Sequence, residues 1–156
     1  MAGAIKVDEY MHTNLEGIFA AGDCATAKNY VTGKENYLPL GTTANKQGRI
    51  AGRNANGKKF VFKGIAGSAI TKAFDLYVGK TGLSYDEAKD EGFDPVEKEI
   101  EGKTRASYYP GSKPIWINLV ADRNTGKLLG SQIVGTEFVK GRIDQIALGS
   151  STKKTT

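Results

Sequence analysis

Cysteine, histidine and tryptophan each occur once, as Cys24, His12 and Trp116, and no long apolar run is present. One cysteine excludes an internal disulfide framework. One histidine excludes a multi-histidine metal centre, so no metal site is expected and His12 is read as structural. The longest apolar stretches, residues 17–21 and 115–121, fall far short of a bilayer span, so no membrane partner is expected. No basic segment followed by an apolar stretch opens the chain, which makes a cytoplasmic protein the expectation. No nucleophile–base pair or triad can be assembled.

What is present is a chain of 156 residues, 39% apolar and 9% aromatic, enough for a packed core. The formal charge of +5 does not point to nucleic acid. Its lysines are scattered among acids, as in Asp86-Glu87-Ala88-Lys89-Asp90-Glu91, where a binding stripe would cluster them with stacking aromatics.

The two ends of the chain differ in texture. Residues 17–23 predict a short apolar strand ending in Gly22-Asp23, and a helix is predicted from about Thr42 to Asn56. Ala44, Gly48 and Ala51 give that helix a face without bulk. Residues 60–67 read as a linker. Beyond them, Ile70, Phe74, Leu76 and Val78 predict one half-buried strand. Ser84 and Glu87 form a capping box for a short helix that Gly92 stops. A strand follows from about Pro95 to Tyr108. Two more, 115–120 and 128–134, flank the turn Asp122-Arg-Asn-Thr-Gly126. A last helix after Thr136 carries Val139, Ile143, Ile146 and Ala147 on one face. The fold class is therefore α+β: an antiparallel sheet with helices on one face, preceded by a different segment. Residues 150–156 read as a disordered polar tail.

Two segments carry chemistry. Gly22 before Asp23 lets a ligand approach the backbone beside a carboxylate suited to sugar hydroxyls. The same residues also suit an ordinary strand followed by an Asx turn. In Pro39-Leu-Gly-Thr-Thr-Ala-Asn-Lys-Gln-Gly-Arg49, a glycine with Thr42, Thr43 and Ala44 opens a helix whose free N–H groups favour negative charge. The alternative there is a capped helix whose threonines serve only its own backbone.

Together these segments resemble the pyridine nucleotide–disulfide oxidoreductases, in the coenzyme A-disulfide reductase and NADH oxidase branch. Further matching residues are Val7-Asp-Glu-Tyr-Met11, Thr81-Gly-Leu-Ser84, Tyr108-Tyr-Pro-Gly111, Ile133-Val-Gly135 and Arg142-Ile-Asp144, from about residue 4 to 148 in order. The resemblance implies an FAD site in which Asp23, with Gly22, meets the ribityl chain. The helix start at Thr42, Thr43 and Ala44 faces the pyrimidine side of the flavin. It also implies a partial FAD-binding segment, residues 1–60, and a dimerisation domain, residues 61–149, that pairs two subunits into a homodimer. One of Tyr108 and Tyr109 would reach the partner's active site; otherwise both pack on Pro110 and Pro114. Cys24 follows the flavin aspartate, a place for a small buried or half-buried side chain rather than a redox thiol.

The family's Gly-x-Gly-x-x-Gly loop, redox cysteine and nicotinamide domain have no counterpart in these 156 residues, nor has a later active-site tyrosine. The expectation is a C-terminal part of an NAD(P)H oxidoreductase that does not catalyse alone and does not retain FAD. NAD(P)H and a disulfide, persulfide or oxygen substrate belong to the complete enzyme. The alternative is a catalytically inactive, free-standing dimerisation module.

Overall fold

The computed structural model describes residues 3–151. The chain divides into two compact units between Ile65 and Ala66.

The first unit is built around one helix and irregular chain. A 3₁₀ turn at Gly22–Cys24 precedes a two-stranded ribbon, β1 (Ala27–Lys28) and β2 (Glu35–Asn36), and then α1 (Gly41–Ala55). Thr43, Gln47 and Asn54 are the buried residues of α1. Ile50 and Ala51 pack on a cluster of Met11, Ala27, Phe62 and Ile65. The buried face is thus set by these residues rather than by the small ones alone: Gly48 is exposed, with open space around it.

The strand expected at residues 17–21 is absent. Phe19 makes only an isolated antiparallel bridge with His12, and Ile18 is half exposed. Met11 and Gly17 both take positive φ, 70° and 74°, so the chain folds back on itself too tightly for a ladder to extend. Residues 60–65 are not a loose linker either. Asn54 Nδ2 donates to the Phe60 carbonyl at 2.8 Å and its Oδ1 accepts from Phe60 N–H at 2.7 Å. Phe62 N–H donates to Glu9 O at 2.7 Å, and Ile65 N–H to Lys28 O at 2.9 Å.

The second unit is a five-stranded antiparallel sheet in the order β3-β4-β7-β6-β5. Its strands are β3 (Ala69–Ala73), β4 (Leu76–Gly82), β5 (Pro95–Lys103), β6 (Pro114–Asp122) and β7 (Leu128–Gly135). Between β4 and β5 runs α2 (Tyr85–Asp90), started by the expected capping box. Glu87 N–H donates to Ser84 Oγ at 3.3 Å and Ser84 N–H to Glu87 Oε2 at 2.8 Å. The last element of the described residues is α3 (Val139–Ser151), which packs on β4 and β7. Ile115, Ile133, Val139 and Ile143 form the core there, with Tyr77 and Ile117 beside them. A Cβ on Gly79 would stand 2.7 Å from Ile143 Cγ1, so glycine is what lets α3 lie this close. This is the α+β arrangement expected from the sequence.

Three boundaries differ. The single strand expected around Phe74 is a hairpin turning at Phe74 and Asp75, with Ala73 opposite Leu76. Phe74, at φ 53°, is 98% exposed. The turn also puts Ile70 and Val78 on opposite faces, since Ile70 pairs with Gly79. The strand from Pro95 ends at Lys103, where the chain bends into a loop. Ser150 and Ser151 continue α3, and Ser150 is buried, so the polar tail does not begin there; residues 152–156 lie outside the described ones.

Candidate functional site

In the first unit, Gly22, Asp23 and Cys24 form the 3₁₀ turn, which faces the first turns of α1. Gly22 has φ 84°, and a Cβ built on it would stand 3.4 Å from Ala44 Cβ. Glycine and alanine face each other here, and together they allow the close approach. Gly22 N–H donates to Gln47 Oε1 at 2.9 Å, while Gln47 Nε2 donates to Thr26 O at 2.9 Å.

The Asp23 side chain is exposed. No acid lies in the first turn of α1, and its N-cap, Leu40, supplies no side-chain cap. The helix start therefore has neither an acid nor a side-chain cap of its own to offset its positive end. Thr42 is exposed and Thr43 buried, and neither threonine caps the helix. The turn thus brings Gly22, Asp23 and Ala44 together, with Thr42 and Thr43 alongside in the first turn of the helix. Gln47, which nothing in the sequence pattern marks, is the residue that joins them. Its signal is faint: a polar residue at i+4 from Thr43 on the buried face.

Cys24 is exposed, with Sγ donating to Ala21 O at 3.4 Å, rather than buried or half-buried as expected. His12 Nδ1 lies 3.0 Å from Asp8 Oδ2, and the centroid of its ring lies 4.7 Å from that of Phe19. Burial alone would raise the Asp8 carboxyl, but bonds from His12 and from the His12 and Tyr10 amides outweigh it and hold the pKa below its usual value. Among the described residues no group of three His, Cys, Asp or Glu is placed to hold a metal, and no helix is long and apolar enough to cross a membrane.

In the second unit, Tyr108 and Tyr109 stand on the loop between β5 and β6. Tyr108 is 88% and Tyr109 55% exposed. The loop is fastened through Arg105, whose guanidinium lies 5.7 Å from the Tyr109 ring and 5.5 Å from the Phe138 ring. A cavity of about 690 Å³ opens beside it, lined by Arg105, Tyr109, Phe138 and Arg142 among others.

Comparison with known proteins decides the family. Residues 68–156 match the pyridine nucleotide-disulphide oxidoreductase dimerisation domain, and residues 1–48 match the pyridine nucleotide-disulphide oxidoreductase family itself. This chain belongs to the pyridine nucleotide–disulphide oxidoreductases. It is 46% identical over 145 residues to an NAD(P)H sulfur oxidoreductase (CoA-dependent) of Pyrococcus furiosus, covering 93% of this chain and 33% of that protein. An NADH oxidase of Methanocaldococcus jannaschii is 39% identical, over 93% of this chain and 32% of that one. The solved NAD-dependent persulfide reductase from A. fulgidus superposes with a TM-score of 0.91 at 39% identity, over 95% of this chain and 28% of that chain. The chain thus spans about a third of the length of the curated relatives it matches. Its family is one of FAD-dependent NAD(P)H oxidoreductases.

Proposed function

We propose that these residues supply the closing edge of an FAD site and the subunit interface of an NAD(P)H oxidoreductase of the NADH oxidase and CoA-disulfide reductase type. The observation that carries this reading is the approach of Gly22 to Ala44, which puts the turn carrying Asp23 against the first turns of a helix that holds no acid of its own there. The residues fit a flavin: an exposed carboxylate can accept from ribityl hydroxyls. The first-turn amides of α1 favour negative charge at the pyrimidine side. FAD, when bound, supplies the hydride and electron chemistry. Asp23 orients the ribityl chain, and Thr42, Thr43 and Ala44 present the helix start.

Residues 1–60 form the FAD-contacting part in this reading, and residues 61–149 pair two subunits into a homodimer. One of Tyr108 and Tyr109 contributes to the partner's site. Their exposure supports this, because an aromatic ring left this bare is available to a second surface. NAD(P)H and a disulfide, persulfide or oxygen act on the complete cytoplasmic enzyme. These 156 residues alone retain no FAD tightly and turn nothing over.

The test is FAD titration followed by amide NMR. At millimolar FAD, signals of Gly22–Cys24 and of the first turn of α1 should shift, and Asp23→Ala should remove the response. No shift in the wild type overturns the flavin assignment. A yellow purified chain that oxidises NADH overturns the claim that it is inactive alone. A dimer without any flavin response would favour the inactive interaction module instead.

A further inference from the structure

We propose that Gln47 is the positioning residue of this edge: its buried amide fastens both ends of the segment carrying Asp23 to α1, fixing where the carboxylate stands relative to the helix start. The inference rests on the flavin reading above and adds to it a residue that touches no flavin.

Gln47 is wholly buried, at 0% exposure. A primary amide taken out of water is unfavourable unless both ends are bonded. Here both are. Oε1 accepts from Gly22 N–H and Nε2 donates to Thr26 O, each at 2.9 Å. The orientation of the amide is forced, since a backbone N–H only donates and a carbonyl only accepts.

The two bonds bracket residues 22–26, and Asp23 lies between them. Inside the bracket, Ala25 N–H closes the turn on Gly22 O at 2.9 Å. Little backbone freedom is left to Asp23. On the helix, Gln47 lies three residues beyond Ala44, on the same face. Ala44 permits the approach of Gly22, and Gln47 supplies the directional bond that holds it. The 3₁₀ turn has no side-chain cap of its own, so the Gly22 amide depends on Gln47.

Two variants test this in the full 156-residue chain. Gln47→Leu keeps the bulk and removes both bonds. Amide exchange at Gly22 should accelerate by at least about tenfold, since the bond closing that amide is gone. Exchange at Phe62, whose N–H donates to Glu9 O in the same unit, should not change and serves as the fold control. At millimolar FAD, the shifts at Gly22–Cys24 should fall well below those of the wild type.

Gln47→Glu supplies the rescue. Protonated, its carboxyl can accept from Gly22 and donate to Thr26 O; ionised, it opposes the Thr26 carbonyl. Burial raises this carboxyl's folded pKa, so the clamp should hold at low pH and be lost as pH rises through that raised value. Unchanged Gly22 exchange in Gln47→Leu overturns the clamp. Faster Gly22 exchange with undiminished FAD shifts overturns the positioning role. If FAD moves no signal even in the wild type, the flavin reading fails and takes the positioning role with it, whereas a Gly22 amide freed in Gln47→Leu would still mark a purely structural clamp.

Discussion

Arg105 donates from Nη2 to Glu137 Oε2 at 3.2 Å, tying the loop that carries Tyr108 and Tyr109 to the start of α3. Glu137 Oε1 also accepts from Thr104 Oγ1 at 2.8 Å, so one carboxylate holds two points of the loop. Both partners of the ion pair remain partly exposed, at 35% and 26% of the side chain, and solvent screens the charge. Loss of the ion pair alone should therefore cost the fold less than about 1 kcal/mol, and Glu137→Ala more than that because the buried Thr104 hydroxyl also loses its acceptor. The loop should respond more strongly. Tyr109 N–H, bonded to Ala106 O at 2.9 Å, should exchange several-fold faster by NMR. An unchanged rate would mean that Glu137 does not order the tyrosines.

Asp122 predicts a pH effect. Its carboxyl accepts from Thr125 Oγ1 at 2.6 Å, from Thr125 N–H at 3.1 Å and from Asp94 N–H at 3.2 Å. The Thr125 hydroxyl bond leads in holding its pKa below the usual value, against some desolvation and with the backbone amides assisting. The group is depressed in the folded state, so its stabilisation is present above the unfolded carboxylate pKa and is lost as pH falls through the lower folded value. Urea unfolding followed from neutral pH downward should show this loss in the wild type. Asp122→Asn should be less stable at neutrality and flatter with pH. Equal slopes for the two proteins would remove Asp122 as the source.

Signals confined to a few neighbouring residues were legible before the structure: the Ser84–Glu87 box, the Asp122–Gly126 turn and the span of α1 all stand where local chemistry puts them. The failures share a different cause. Phe74 occupies a positive φ that phenylalanine disfavours, so alternation alone carried the strand straight through a turn. Residues 17–21 have a strand's composition, yet pair only with residues 11–13 across a tight reversal. Gln47 joins partners 25 and 21 residues away, a relation that no periodicity records. Asp23 and the helix start could be named from motif; what holds them together could not.

Gly130 offers a test of packing. A Cβ there would run into the backbone N and O of Leu83, where the chain leaves β4. That backbone cannot yield easily, because Leu83 N–H donates to Leu129 O at 3.0 Å and Gly82 N–H to Ala66 O at 2.9 Å. Gly130→Ala should destabilise the second unit by about 2–3 kcal/mol, at the upper end for overpacking. Gly92→Ala is the contrasting control: nothing lies within 4 Å, so only its φ of 86° opposes the change. Its cost should be about 1 kcal/mol. Equal unfolding free energies for the two variants would contradict the assignment of a backbone clash at Gly130.

The sheet face turned away from α3 predicts self-association. Ile115 and Ile117 point into the α3 core, so Trp116 between them points the other way and is 44% exposed. It pairs with Val134, which pairs in turn with Val78, itself 39% exposed. An apolar row therefore crosses β6, β7 and β4 with water on it, a surface that a second chain would cover. Two copies meeting on a closed two-fold axis is the commonest solution for such a surface, and a large aromatic is the usual anchor. The chain should sediment as a dimer at micromolar concentration through residues 68–148. Trp116→Ala should weaken the dimer by about 2 kcal/mol, roughly thirtyfold in Kd. A monomeric wild type would defeat the prediction outright. A dimer unmoved by the substitution would leave the pairing intact and place its anchor elsewhere on the second unit.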